Sequence, residues 1–160
     1  MQIFYLSNQC TIVLCFILWG FFQVSISLLC LRIPDGYLPP GAFLFKERRW
    51  EKKGALYERV FKIRKWKVFL PDGGNVIKGA YRKKHLVDSS KENLERFVIE
   101  TCRGELAHLL SIVPFWIFGL FSPPIVIVYM FIYAVAVNLP CIIAQRYNRI
   151  RLARVINKSY

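Results

Sequence analysis

From Cys10 to Leu31 this chain carries no charged side chain. Crossing a hydrocarbon core takes about 20 residues of helix, and a backbone surrounded by lipid must satisfy its own N–H and C=O groups. Residues 10–31 therefore read as a transmembrane helix. The rest of the chain has to sort itself in the same way: 55% of the residues are apolar while the formal net charge is +13, a pairing that a soluble domain of this size rarely shows. A second apolar block covers residues 106–121 and a third covers 125–144, with Ser122-Pro123-Pro124 between them. The two prolines predict a hairpin turn. The second block is short for a straight span and contains Pro114, so it is expected to kink, to borrow length from its amphipathic lead-in, or to be re-entrant.

Charge supplies an orientation. Residues 32–103 hold 18 of the 23 Lys and Arg residues, and the other five, Arg146, Arg149, Arg151, Arg154 and Lys158, lie in the tail. Positive residues favour the cytoplasmic side. Three spans then place an uncharged N-terminus outside, the long loop inside, the Ser-Pro-Pro turn outside and the tail inside. A signal peptide cleaved near Ser25-Ile-Ser27 is the rival, but it would lack a basic start and would export the most basic part of the chain. The fold expected is an α-helical integral membrane protein with about three transmembrane segments and a basic amphipathic cytoplasmic loop. Its parts are an N-terminal transmembrane segment (1–31), a basic cytoplasmic interfacial region (32–104), a helical membrane hairpin (105–145) and a basic cytoplasmic tail (146–160).

Within residues 45–67, Trp50, Leu56, Tyr57, Val60, Phe61, Ile63 and Trp66 interleave with ten Lys and Arg residues. That spacing suits an amphipathic helix in the headgroup region, broken or bent near Gly54. An anionic lipid surface is its natural partner. Nucleic acid, the other partner of a basic stripe, is set aside because a membrane is nearer and sufficient. Residues 68–70 read as a short extended run ending in the turn Pro71-Asp72-Gly73-Gly74. Ser89 followed by Glu92 reads as a capping box. The helix it opens carries Leu94, Phe97, Val98, Thr101, Glu105 and His108 at helical spacing and runs into the second apolar block.

Glu105 and His108 sit one turn apart where charge gives way to apolar sequence, in a chain with only two histidines. Ionisable groups at the mouth of a membrane segment are costly and read first as functional. At i, i+3, Glu105 would accept a hydrogen bond from one ring nitrogen of His108 and leave the other as a base for a hydroxyl proton. Arg103 or the tail arginines would stabilise a developing oxyanion. Glu-x-x-His is also half of a di-metal carboxylate site, but only His85 is left to complete one, so no metal is expected. An interfacial ion pair closing a helix end is the alternative without chemistry. Five cysteines without C-x-x-C spacing argue against a disulfide scaffold or a zinc site. Cys10, Cys15, Cys30 and Cys141 read as small apolar residues, and Cys102 as a buried thiol rather than a nucleophile.

A second polar cluster follows the third block: Asn138, Pro140, then Gln145-Arg146-Tyr147-Asn148-Arg149, with Arg151 beyond. Arginines and Tyr alone would suit snorkelling anchors. The amides of Asn138, Gln145 and Asn148 add hydrogen-bonding demand without charge, and Pro140 would open the backbone beside them. The cluster is therefore expected to be a headgroup or phosphate clamp.

Together these residues resemble a known family. Arg32-Ile33-Pro34-Asp35, Arg64-Lys65-Trp66-Lys67 followed by Asp72-Gly73, His85-Leu86, Ile99-Glu100-Thr101 with Arg103, Glu105-Leu106 and His108, Ser111-Ile112 with Pro114, and Asn138, Pro140, Gln145-Arg146-Tyr147-Asn148-Arg149 and Arg151-Leu152 are similar, in order and spacing, to glycosyl-4,4'-diaponeurosporenoate acyltransferases. Before Arg32 the likeness is only that of an apolar segment. The resemblance implies a bacterial plasma-membrane enzyme that completes staphyloxanthin-type carotenoids, esterifying the glucose 6-hydroxyl of a glycosylated C30 carotenoic acid with a fatty acyl chain. It implies a glycosylated carotenoid acceptor, a fatty acyl thioester as co-substrate and no other cofactor.

On this reading His108 is the base, Glu105 its orienter, His85 a competing base in a family-like position, and Arg103, Arg146 and Arg149 serve the oxyanion or the donor's phosphates. The chain lacks the H-x-x-x-x-D motif of glycerolipid acyltransferases, so their mechanism does not transfer. Three spans are few for enclosing two lipid substrates, which favours a homodimer. A membrane enzyme acting on another lipid hydroxyl and a non-enzymatic scaffold of a lipid pathway are the alternatives.

Overall fold

The computed structural model describes residues 2–70 and 90–158, and among them every regular element is helical. His85, Ser89 and the expected turn at residues 71–74 lie outside the described residues. Helix α1 spans Asn8–Leu31, opened by Ser7, whose hydroxyl accepts from the Cys10 N–H at 3.3 Å. Two short helices follow, α2 at Ala55–Arg59 and α3 at Ile63–Trp66. Helix α4 spans Lys91–Ile112, and α5 spans Pro124–Lys158 without interruption at Pro140.

The hairpin turn forms where the prolines require it. Ser122 and Pro123 make the corner, and Pro124, which has no N–H to lose, is the first residue of α5. The second apolar block does not continue as an α-helix. After Ile112 it tightens into a 3-10 helix over Val113–Leu120, with Pro114 in its first turn. Two helices, α1 and α5, are thus long and apolar enough to cross a membrane, against the three expected. They keep their apolar surface outward: only 11% and 17% of their most apolar stretches are buried within the molecule. Lipid tolerates that exposure and water does not.

Packing fixes how the helices run. Leu120 O accepts from the backbone N–H groups of Ile3 and Phe4, at 2.7 and 2.9 Å, so the start of the chain lies against the hairpin corner. Helices α1 and α5 therefore leave the same end of the molecule, and α4 runs back towards it. Trp19, Phe118, Phe121 and Ala134 form the core of this end. Gly119 lets the hairpin close, because a side chain there would run into Ile127.

Residues 32–70 fold back over the opposite end, around two further clusters: Leu38, Phe45 and Cys102, and Tyr57, Ile63, Ile143, Ala144, Tyr147 and Ile150. The amphipathic stretch over 45–67 is broken at Gly54, as expected, where the backbone is left-handed, but it is broken further than expected and does not form long helices on either side. Arg49–Gly54 is a 3-10 turn, Lys52, Lys53 and Lys62 take left-handed backbone conformations, and Tyr57 and Ile63 turn inward onto α5 while Trp50, Val60 and Phe61 stay exposed. Each positive φ ends a helical run, since L-residues cannot propagate it. Of the extended run expected at 68–70 only Leu70 is extended; Val68 and Phe69 belong to a 3-10 turn, Lys67–Phe69. Ser90 is the N-cap of α4, while the expected capping residue, Ser89, lies outside the described residues. All five cysteines are free thiols, and Cys102 is buried.

Candidate active site

Beyond the apolar stretch of α5, the polar residues of α4 and α5 meet the folded-back loop. Glu105 projects inward from α4 and is 1% exposed. One carboxylate oxygen accepts from Arg146 Nη1 at 2.7 Å, and the other lies 2.5 Å from Arg149 Nη2. Arg146 also donates Nε to Glu51 Oε1 at 3.0 Å and reaches the carbonyls of Leu44 and Lys46 at 3.0 and 3.3 Å. Arg149 donates to Phe45 O at 3.1 Å and lies over the Phe45 ring. Glu51, fully buried, takes further hydrogen bonds from the Tyr57 hydroxyl and the Arg48 N–H.

Two arginines and two carboxylates thus neutralise one another inside a dry cage. Burial alone would raise the Glu51 carboxyl, but the hydrogen bonds from Arg146, Tyr57 and Arg48 outweigh it and hold the group below the ordinary carboxylate range. The same burial, with the Glu51 charge beside it, raises the Tyr57 hydroxyl and keeps it protonated as a donor.

This cage corrects three expectations. Glu105 does not orient His108, because Arg146 and Arg149 take up its carboxylate. Arg146 and Arg149 are paired with Glu51, Glu105 and backbone carbonyls, so the four side chains balance in charge, with Arg149 Nη1 left buried and without a hydrogen-bond partner. Arg103 is a strap: it donates to Cys30 O at 2.9 Å and to Ile33 O, and it pairs with Asp35 and Glu100. Its guanidinium ties off the C-terminal carbonyls of α1, where orphan acceptors need donors, and is committed before any oxyanion forms.

The group that fixes the His108 ring is Asn138, whose Oδ1 stands 3.0 Å from His108 Nδ1. Asn138 is buried and donates its own amide N–H to Ala134 O at 2.9 Å. That donation identifies the atom facing His108 as the carbonyl oxygen, so Nδ1 carries the proton and the basic lone pair belongs to Nε2. An amide can therefore do here what the carboxylate was expected to do. Gln145 is half-buried two turns along α5 from Asn138, on the same face. Asn148 lies away from this pair, with its Oδ1 accepting from Lys67 Nζ at 3.0 Å.

Sequence reasoning missed several participants. Glu51 and Tyr57 were absorbed into the basic stripe, although Glu51, with Arg48, Arg49, Lys52 and Lys53 around it, could have been read as one half of an internal ion pair. Gln23 was hidden in an apolar run. Its Nε2 is buried without a partner, as is the Trp19 Nε1 one turn earlier on α1. Trp19 packs on Phe118 and Ala134, and Asn138 lies one turn beyond Ala134 on a helix running the same way. Gln23 is thus one turn along α1 from the packing of Trp19 on Phe118 and Ala134. Among the described residues no cluster of His, Cys, Asp and Glu could hold a metal ion.

A family model described as glycosyl-4,4'-diaponeurosporenoate acyltransferase matches residues 41–158. Curated proteins of that name are similar along most of the chain. One from Staphylococcus aureus strain bovine RF122 / ET3-1 is 37% identical over 142 residues, covering 89% of this chain and 86% of the relative. Another from Staphylococcus aureus strain MRSA252 is 38% identical over 143 residues, with the same coverage. No solved structure matches.

Proposed function

Because the chain belongs to the glycosyl-4,4'-diaponeurosporenoate acyltransferase family, and is thus an acyltransferase of the carotenoid pathway, we propose that it esterifies the glucose 6-hydroxyl of a glycosylated C30 carotenoic acid with a fatty acyl chain from a thioester. The observation that carries the chemistry is the 3.0 Å contact of Asn138 Oδ1 with His108 Nδ1, which favours the tautomer that carries its proton on Nδ1. His108 Nε2 takes the proton of the sugar hydroxyl as its oxygen attacks the thioester carbonyl. The tetrahedral intermediate collapses, the C–S bond breaks, and the proton passes from His108 to the departing thiolate. Asn138 is the positioning residue. The unpartnered N–H of Gln23 suits the oxyanion, a role that Arg103 is too engaged to fill.

The same reading makes the protein a multi-pass protein of the bacterial plasma membrane with its long loop and C-terminus in the cytoplasm. The third crossing is residues 106–120: a 3-10 helix rises about 2 Å per residue against 1.5 Å for an α-helix, so the short block reaches about 26 Å, close to the ~30 Å hydrocarbon core. A shallow apolar groove of about 390 Å³ on α1, lined by Leu6, Cys10, Val13, Leu14 and Ile17, suits a hydrocarbon tail. Three crossings are few for enclosing two lipid substrates, which favours a homodimer, and the basic loop favours an anionic lipid surface.

Membranes holding wild type or His108→Ala at matched abundance, given a glycosylated carotenoic acid and an acyl thioester, test this by mass spectrometry of the product. Acylated product from wild type, reduced by about 10²–10⁴-fold in the variant, is expected for loss of a general base. Equal product from both would remove His108 from the mechanism and turn the search to His85.

A further inference from the structure

Next to the neutral cage is a cluster whose charges do not cancel. The buried Tyr147 hydroxyl donates to Glu58 Oε1 at 2.6 Å and accepts from Arg64 Nε and Arg151 Nη1 at 3.2 and 3.1 Å. Arg64 also pairs with Glu58 at 2.7 Å. Lys67 Nζ stands 5.0 Å over the Tyr147 ring and donates to Asn148 Oδ1, while the Arg151 guanidinium lies 5.7 Å from the same ring. Arg154, one turn beyond Arg151 on the same face of α5, has Nη2 buried with no partner. Among the described residues, Arg64, Lys67 and Arg151 gather here around one carboxylate, with Arg154 following one turn along α5. Burial, followed by repulsion from Arg151 and Arg64, pushes the Lys67 amine below its ordinary value.

A cluster that served only to hold the fold would be balanced, as the Glu105 cage is. Arginine Nη atoms are left without partners both in the cage, at Arg149, and here, at Arg154, so it is the surplus of cations that suits an anion bringing its own oxygens, and arginine forks and a lysine suit the several oxygens of a phosphate. Beside them Val68 and Phe69 expose apolar side chains, Phe69 by 84%, so the anion would be met at an apolar boundary. We propose that Arg64, Lys67, Arg151 and Arg154 form a seat for a phosphate ester, carried either by an anionic lipid headgroup or by the phosphorylated carrier of the acyl thioester. The seat goes beyond the acyl-transfer reading, and its test reads binding rather than turnover.

The full chain in neutral detergent would be titrated with two probes, coenzyme A and short-chain phosphatidylglycerol. The Lys67→Gln/Arg151→Gln variant would be compared with Lys53→Gln/Arg59→Gln, which removes the same charge from exposed positions outside the cluster. At least one probe is expected to bind wild type, about tenfold more weakly to the first variant and nearly unchanged to the second. Tighter binding of coenzyme A would assign the seat to the acyl carrier, and tighter binding of the lipid would assign it to the headgroup. Equal weakening in both variants, or no binding of either probe to wild type, would overturn the seat. Should the double variant fail to fold, Arg154→Gln replaces it, because its Nη2 has no protein partner to lose. A loss of about threefold is then expected, and unchanged affinity would overturn the proposal.

Discussion

Glu105 shows how a residue can be flagged correctly and understood wrongly. Its rarity at the edge of an apolar block marked it as important, and the i, i+3 spacing suggested His108 as partner because local spacing is all that a sequence displays. Its actual partners come from α5, 41 residues away for Arg146, and nothing in helical periodicity reports that distance. Removing one member of a buried pair leaves the other charged and unpaired. Arg146→Met, which takes from Glu51 its arginine and leaves Glu105 with Arg149 alone, is therefore expected to cost about 3–5 kcal/mol, read as a lowered melting temperature in detergent. An unchanged melting point would mean that the cage is not a structural unit. Acid should act on the same cage. The folded Glu51 carboxyl lies below the ordinary glutamate value of about 4.3, so its stabilisation is complete above that value and is lost as pH falls through the depressed one. Melting temperature is accordingly expected to fall below about pH 4 in wild type, and less steeply in Glu51→Gln, which has no such proton to take up.

Long helices were readable because they are long. Helix α1 announced itself by the absence of charge, α4 by apolar residues at helical spacing, and the hairpin corner by two prolines whose missing N–H groups suit a turn and a helix start. The loop between them was not readable in the same way. The break at Gly54 was legible from the glycine, but Lys52, Lys53 and Lys62 are also left-handed, and their residue type gives no warning of it, so a helical period was extended through positions that tertiary contacts interrupt. The tightening of the second block into a 3-10 helix was likewise only half visible, in Pro114. Closure of that hairpin depends on Gly119, where an added side chain meets Ile127. Gly119→Leu is expected to destabilise by about 1–3 kcal/mol through overpacking, and Ile127→Ala in the same chain should restore part of the loss. Failure of that second substitution to help would show that the glycine matters for its backbone and not for its closeness to α5.

Topology follows from a pair of backbone hydrogen bonds far from the chemistry. Ile3 and Phe4 both donate to Leu120 O, so α1 and α5 begin at the same end. A chain that leaves α1 at the far end must return before α5 can start, and among the described residues only α4 with its 3-10 extension makes that journey. If α1 and α5 both cross a bilayer, the segment between them has to cross it as well, even though composition alone identifies two spans. At 35 residues α5 is about 52 Å long, enough to cross a core of about 30 Å and still carry Arg146, Arg149, Arg151 and Arg154 past it. The cage and the cation cluster then share one face of the membrane with the loop that completes them, and His108 and Asn138 lie just inside it. In a cysteine-free background, a membrane-impermeant maleimide added to intact cells is expected to label Pro123→Cys and to spare Lys53→Cys and Asn157→Cys until the membrane is broken. Labelling of Lys53→Cys in intact cells would reverse the orientation, and labelling of Pro123→Cys on the same side as Asn157→Cys would mean that α5 does not cross.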